Sequence, residues 1–150
     1  MKQLLYTLVL VIVFLPIFVG SSAAASVPPN CVNAVDYVDL PSALVAAQAD
    51  PTRCLELPVG TYPVTGNGVI LSASADNLEI KGAGEGKTII QVANGLALTQ
   101  DLIVLRLLGK NQHVHDFTLS IGSGYTGPWG IGGISVYSPA EHTLIERIEV

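Results

Sequence analysis

The chain has 150 residues and a formal net charge of −5, because its 12 acidic residues outnumber its seven basic ones. This length suits a single domain. No cluster of Lys or Arg appears, so the composition excludes an electrostatic interface for nucleic acid.

Residues 1–25 have the layout of a secretory signal peptide. Lys2 is the only charge ahead of an apolar stretch, Leu4–Val19, and Ala23–Ala25 fit a small-residue cleavage site before Ser26. An uncleaved membrane anchor is the alternative, but a spanning helix needs about 20 apolar residues, more than this stretch supplies. We therefore expect a secreted, extracytoplasmic protein that has no membrane contact after cleavage.

The two cysteines, Cys31 and Cys54, fall in an N-terminal cap that we place at residues 26–54. Export exposes them to an oxidising environment, where a disulfide is the expected state. Closing a loop of this size stabilises a domain by about 3 kcal/mol in the chain-entropy treatment. A redox or metal pair is the alternative, but the sequence lacks the CxxC spacing and the nearby histidine that would favour one.

One helix is predicted within this cap, over residues 39–50. Asp39 can cap its first turn, Pro41 is tolerated there, and Pro51 ends the helix. The apolar face is narrow and rich in alanine, and it consists of Leu40, Ala43, Leu44 and Ala47. The helix is therefore expected to pack closely against another apolar surface.

Short strands separated by polar, glycine-containing turns are predicted for residues 55–150. Apolar residues alternate along each strand, which places one side of it in a core. The alternating sets are Leu55/Leu57, Tyr62/Val64, Val69/Leu71, Leu78/Ile80, Ile90/Val92, Phe117/Leu119/Ile121, Ile134/Val136 and Ile148/Val150. Leu102–Leu108 is almost continuously apolar, as expected of a strand that is covered on both faces.

Three of these segments resemble one another, with apolar patterns that begin at Leu78, Phe117 and Ile148. Their spacing suits successive coils of three short strands each. A β-sandwich or a meander is the alternative, but hairpin signals are scarce, with Asn-Gly pairs only at Asn67 and Asn94. We therefore predict an all-β fold, a right-handed parallel β-helix with a short N-terminal capping helix.

The segment Glu79–Val92, EIKGAGEGKTIIQV, has the look of a phosphate-binding loop. A P-loop would need a glycine where the chain has Lys81, and the dinucleotide fingerprint would need its third glycine later than Gly86. Both motifs also open a helix, whereas the residues after Thr88 favour a strand. The glycines are therefore interpreted as a turn between strands, with Lys81 and Lys87 directed to solvent.

The predicted helix, the segment CLELPVGTYPV and the segment NLEIKGAGEGKTII together resemble the opening of pectate-lyase-superfamily proteins. In that family a short helix caps the first coil, and a Pro-x-Gly-x-Tyr segment, here Pro58–Tyr62, makes the first turn. The resemblance covers most of residues 36–150. It implies a right-handed parallel β-helix that acts on or binds polysaccharide, as a polysaccharide lyase or a glycoside hydrolase. Calcium as a cofactor is implied by the resemblance alone, since the residues themselves indicate none.

No catalytic motif of the family occurs in these 150 residues, so catalytic residues stay unassigned. Because Ile148–Val150 lies inside a predicted strand, we expect the chain to be the N-terminal part of a longer protein whose catalytic coils follow residue 150. A non-catalytic β-helix for carbohydrate binding, surface attachment or structural support is the alternative.

Two local segments carry side chains that could do chemistry. His113, His115 and Asp116 could form a metal or acid–base site, although a polar turn is the favoured interpretation and no metal ligands are assigned. Tyr125 and Trp129 lie in a glycine-rich loop, and aromatic faces can stack on sugar rings. A loop folded back over the sheet would need the same two residues. Other polar residues are interpreted as a solvated strand face or a polar turn: Glu146, Arg147 and Glu149, and Glu141–His142.

Overall fold

The computed structural model describes residues 30–150, and the predicted signal peptide at residues 1–25 lies outside that range. The elements in chain order are β1 (Val32–Asn33), a 3-10 turn (Ala34–Asp36), α1 (Leu40–Ala49), β2 (Cys54–Leu57), β3 (Gly60–Val64), β4 (Val69–Ala73), β5 (Glu79–Gly82), β6 (Thr88–Val92), β7 (Leu102–Leu107), β8 (His113–Ser120), β9 (Ile131–Val136) and β10 (Leu144–Glu149). Within residues 30–150, no helix has the length and apolar character to cross a membrane.

The strands stack in parallel into a β-solenoid of about three turns. Its first face contains β1, β2, β5 and the first halves of β8 and β10. The second face contains β3, β6, the second half of β8 and the end of β10, and the third face contains β4, β7 and β9. The parallel solenoid predicted from the sequence is confirmed, and the β-sandwich and meander alternatives are excluded because the pairs are parallel.

The core is built from aliphatic side chains that lie in register on successive turns. These inward stacks are Leu55–Ile80–Val114 on the first face, Ile90–Leu119 on the second, and Leu71–Leu105–Ile134 on the third. Full burial of one such side chain stabilises the fold by about 1.5–3 kcal/mol. Strands of four to six residues can therefore persist because each turn rests on its neighbour rather than standing alone.

The helix α1 covers the open end of the first turn. Its predicted apolar face is buried, and it packs against β2, β3 and β4. Asp39 is the N-cap, since its carboxylate accepts a hydrogen bond from the Ser42 N–H at 2.8 Å. The predicted disulfide between Cys31 and Cys54 is confirmed, and it ties the segment before the helix to β2.

The corner between the first and second faces changes its construction from one turn to the next. Phe117 pairs with Ile148, as the similarity of their segments predicts, but Leu78 is not the equivalent residue, because Glu79 pairs with His113. The preceding turn makes this corner with the glycine-rich segment after Gly82, whereas β8 runs straight through it. Because this glycine-rich segment adds residues to the preceding turn, the similar sequence patterns at Leu78 and Phe117 do not lie in register.

Two residues at this corner have left-handed backbone angles and set the direction of their neighbours. Asp116 in β8 has φ 63°, and Arg147 in β10 has φ 51°. Each interrupts the regular alternation of the strand, so that His115 faces outward and yet Phe117 faces the core. The corner therefore presents polar side chains on the outer surface of the first face.

Candidate functional site

Six polar side chains meet on the outer surface of the first face, and we call them the histidine cluster. They are Glu79 from β5, His113, His115 and Asp116 from β8, and Glu146 and Arg147 from β10. Parallel pairing aligns these strands, with Glu79 beside His113 and Glu146 beside His115. Three successive turns of the solenoid thus contribute to one cluster.

His115 is the most buried member of the histidine cluster, with 8% of its surface exposed. Its Nδ1 lies 2.6 Å from the Asp116 carboxylate and its Nε2 lies 3.2 Å from the Glu79 carboxylate. The ring stacks on that of His113, with centroids 4.0 Å apart. The imidazole is therefore held by a carboxylate at each nitrogen and by a neighbouring ring across its face.

Arg147 joins the two carboxylates at the outer side of the histidine cluster. Its Nη2 donates to Asp116 at 2.9 Å and its Nε donates to the other oxygen of the same carboxylate, while Nη1 lies 2.8 Å from Glu146. Arg147, with help from His115, holds the pKa of Asp116 well below its usual range, and Asp116 raises the pKa of Arg147 in turn. Hydrogen bonding from His113, and then from Arg147, lowers the pKa of Glu146. Both carboxylates are therefore ionised at neutral pH.

Donor atoms for a metal ion converge within the histidine cluster. One atom each from Glu79, His113 and His115 lie within 4.8 Å of one another. Cys31, Cys54 and Glu79 form a second grouping of this kind, but both sulfur atoms belong to the disulfide and are not available as thiolate ligands. The histidines are therefore the nitrogen donors that this face offers to a cation.

The sequence predicted only part of this cluster. It nominated the contiguous residues His113, His115 and Asp116, and β8 brings these three together. The sequence predicts a solvated strand face for Glu146 and Arg147 and gives no local signal that links Glu79 to the histidines, whereas the structure brings all three residues into the cluster. The alternation of β5 predicts that the Glu79 side chain points outward, but only the register between β5 and β8 shows that it lies beside His113.

A second polar surface, which we call the aromatic cleft, lies on the outer side of the third face. It encloses about 510 Å³ and is lined by Gly68, Val69, Gln100, Asp101, Ile103, Arg106, Trp129 and Tyr137. Trp129 and Tyr137 are 46% and 47% exposed, so both rings are open to solvent within one depression. The cleft therefore combines two solvent-exposed aromatic rings with polar groups.

Arg106 lies within the aromatic cleft with its guanidinium over the Tyr137 ring, 4.7 Å from the centroid. Its buried Nε has no hydrogen-bond partner among residues 30–150. Asp101 also lines the cleft but makes no ion pair with Arg106; one of its carboxylate oxygens accepts the Gly130 N–H at 2.8 Å, in the loop that carries Trp129. The cleft thus contains a cation that is not neutralised by a carboxylate in the described part of the chain.

The two aromatic residues nominated from the sequence are in different environments. Trp129 lines the aromatic cleft, whereas Tyr125 is half-buried against the core, and its hydroxyl finds no protein partner within residues 30–150. Tyr137, which the sequence analysis did not single out, is the second exposed ring of the cleft. Tyr137 directly follows β9, and the pairing of β9 with β7 places it beside Arg106. The sequence alone does not show this pairing.

Comparison with protein-family models, with curated proteins and with solved structures finds no match for this chain. What the protein does is therefore inferred from its two polar surfaces, the histidine cluster and the aromatic cleft. They lie on different faces of the solenoid and use different residues, so each can be changed without altering the other.

Proposed function

We propose that this protein is an exported, right-handed parallel β-helix of the pectate-lyase type that binds acidic polysaccharide in the aromatic cleft. The observation that carries the proposal is the pair of exposed rings, Trp129 and Tyr137, beside the unneutralised guanidinium of Arg106. Right-handed winding is the form that strand–crossover–strand connections take in nearly all proteins. Export is supported by the disulfide, which is the state favoured in oxidising compartments.

The exposed rings suit the apolar face of a sugar. A pyranose ring presents C–H groups on one side, and these pack on an aromatic face while the hydroxyl groups remain free for hydrogen bonds. A depression of about 510 Å³ falls within the size range of ligand sites. Gln100 and Asp101 supply amide and carboxylate groups at its edge for those hydroxyls.

Arg106 favours a sugar that carries a carboxylate. A guanidinium matches the two oxygens of a carboxylate with parallel N–H donors. Stacking on Tyr137 holds the guanidinium in place without neutralising it. Uronate residues combine a stacking face with a carboxylate, and we therefore assign polymers of uronates as the preferred ligand class.

Binding to a panel of polymers tests this assignment. The purified protein is titrated by calorimetry with polygalacturonate fragments as the acidic ligand and with dextran fragments as the neutral one. We expect binding to polygalacturonate, and a loss of about 30-fold for Trp129→Ala, which corresponds to about 2 kcal/mol for one central aromatic contact. Tyr37→Ala is the matched control, because Tyr37 is an exposed ring on the cap outside the cleft.

The arginine variant separates charge recognition from stacking. Arg106→Gln keeps the length and some hydrogen-bonding capacity of the side chain but removes its charge, so it should weaken binding of polygalacturonate much more than binding of dextran. Failure of the wild-type protein to bind either polymer would reject the proposal. Equal losses in the Trp129→Ala and Tyr37→Ala variants would also reject it, since binding would then not occur in the cleft.

A further inference from the structure

We propose that Glu79, His113 and His115 form a binding site for a divalent transition-metal ion of the zinc class. Imidazole nitrogens and a carboxylate oxygen are ligands that Zn²⁺ accepts, and two histidines with one glutamate leave a further coordination position open. The site lies on the first face, away from the aromatic cleft. It is therefore independent of the proposed polysaccharide binding.

The donor atoms already have a spacing that fits a small cation. Two ligands about 2.0–2.1 Å from a tetrahedral zinc ion lie about 3.3 Å apart. The Glu79 Oε1 and His115 Nε2 atoms are 3.2 Å apart, and all three donors lie within 4.8 Å of one another. His113 supplies the third donor of this set.

The hydrogen bonds of His115 leave Nε2 as the coordinating atom. A neutral imidazole has one N–H group, and the 2.6 Å contact to Asp116 assigns it to Nδ1. Arg147 Nη2 also lies 3.3 Å from Nδ1, but it is closer to the Asp116 oxygen, at 2.9 Å. Nε2 then faces the Glu79 carboxylate at 3.2 Å, and a cation between them would be coordinated by both atoms.

Both histidines have the outer partners that metal-binding histidines use. A ligating imidazole commonly donates its second nitrogen to a carboxylate, which fixes its orientation and raises its basicity. Asp116 fills this role for His115, and Glu146, 3.1 Å from Nε2, fills it for His113. Arg147 bonds to both carboxylates and so holds the two partners in place. Nδ1 of His113 has no hydrogen bond within residues 30–150, which leaves it available for the ion.

The charge and exposure of the histidine cluster also suit a cation. Its three carboxylates outnumber the two nearby cations, Arg147 and the Lys81 that pairs with His115 in the sheet, so the surface is negative when the histidines are neutral. Glu79 and His113 are partly exposed, which gives an ion access from solvent, while His115 anchors the site in a drier environment. Two nitrogen donors disfavour calcium, which prefers an all-oxygen shell.

Metal titration of protein purified without a polyhistidine tag tests the site. The protein is stripped with a chelator and titrated with Zn²⁺ in competition with a chromophoric chelator. We expect one ion per chain with a dissociation constant of about 10 μM or tighter, and at least about a 100-fold loss for His113→Ala. His142→Ala is the matched control, because His142 is an exposed histidine in the turn before β10 and does not belong to the cluster.

Three further measurements keep the test decisive. Asp116→Asn should weaken Zn²⁺ binding by about 10-fold to 100-fold, as for other outer partners. Glu79→Gln should weaken Zn²⁺ binding by a similar factor, and it keeps the size of the side chain. Circular dichroism checks that each variant folds. Bound Co²⁺ should give visible absorption bands, and these bands should persist when Ca²⁺ is added, because Ca²⁺ does not displace Co²⁺ from the site. No binding tighter than about 100 μM, or equal losses in the His113→Ala and His142→Ala variants, would overturn the proposal.

Discussion

Thr88 is a polar side chain at the start of β6 that is fully buried between two turns of the solenoid. Its hydroxyl oxygen accepts the Ala83 N–H at 2.8 Å and donates to the Leu57 carbonyl at 2.9 Å, with the Pro58 carbonyl at 3.1 Å as a second acceptor. Replacing Thr88 with valine keeps the shape of the side chain and removes both bonds. The substitution therefore isolates the contribution of this link between adjacent turns.

The structure gives the size of the expected loss. An unpaired buried acceptor costs about 1–3 kcal/mol, and the Leu57 carbonyl becomes one in the Thr88→Val variant. Ala83 lies in an exposed loop, so its N–H can bond to water and adds about 0.5 kcal/mol. We expect the free energy of unfolding to fall by about 2–3 kcal/mol. Thr88→Ser keeps both bonds and removes one buried methyl group, which costs about 1 kcal/mol.

Urea unfolding of the wild-type protein and the two variants measures these differences. The urea dependence of the unfolding free energy should be the same in all three proteins, so that the midpoints report stability alone. Valine buries more apolar surface than threonine and favours strands equally well. If the valine variant proves as stable as the serine variant, apolar burial decides at this position and the hydrogen-bond reasoning is refuted.

Three other perturbations have expected outcomes. Removing the disulfide by replacing both Cys31 and Cys54 with alanine should lower the free energy of unfolding by about 3 kcal/mol in urea titrations, because the bond closes a loop with a sequence separation of 23. Gly82→Ala should lower the free energy of unfolding by about 3 kcal/mol, because the new Cβ overlaps a backbone carbonyl of the next turn. Gly86→Ala should lower it by about 1 kcal/mol, because Gly86 has a positive φ but open space around the added Cβ. Urea midpoints distinguish the two variants. Hydrogen bonding to the first turn of α1 lowers the pKa of Asp39 in the folded state, so its stabilisation is complete above about pH 4 and is lost as the pH falls through the lowered value. Between pH 7 and pH 2, the wild-type protein should therefore lose more stability than Asp39→Asn, in thermal unfolding followed by circular dichroism.

The elements of the fold could be predicted from the sequence because each depends on local patterns. Alternation of apolar residues located the strands, and the i, i+3, i+4 spacing from Leu40 located the face of α1. Register was harder to predict, because stacked turns of a solenoid differ in length wherever a corner gains or loses residues. The corner that β8 crosses at Asp116 is a glycine-rich loop in the preceding turn, and this difference misaligned Leu78 with Phe117.

In the candidate sites too, residues that are close in the sequence could be grouped by prediction, whereas residues from different turns could not. His113, His115 and Asp116 are contiguous, so their shared strand was enough to group them. Glu79 and Arg147 come from the turns before and after, and only the pairing of β5, β8 and β10 brings them together. Tyr137 was missed for the same reason, since its partner Arg106 belongs to the preceding turn.

The position of the histidine cluster follows from the geometry of its corner. A strand that passes a corner must reset its alternation, and a left-handed residue does so in one step, at Asp116 and again at Arg147. Aspartate adopts these angles more readily than most residues, and Arg147, which also has a positive φ, forms a bidentate bond to that carboxylate. Neighbouring strands lie about 4.8 Å apart, so Glu79 on β5 reaches the two histidines of β8, and the three donors lie within 4.8 Å of one another. The backbone that turns the corner thus also places three donors at a distance that one ion can bridge.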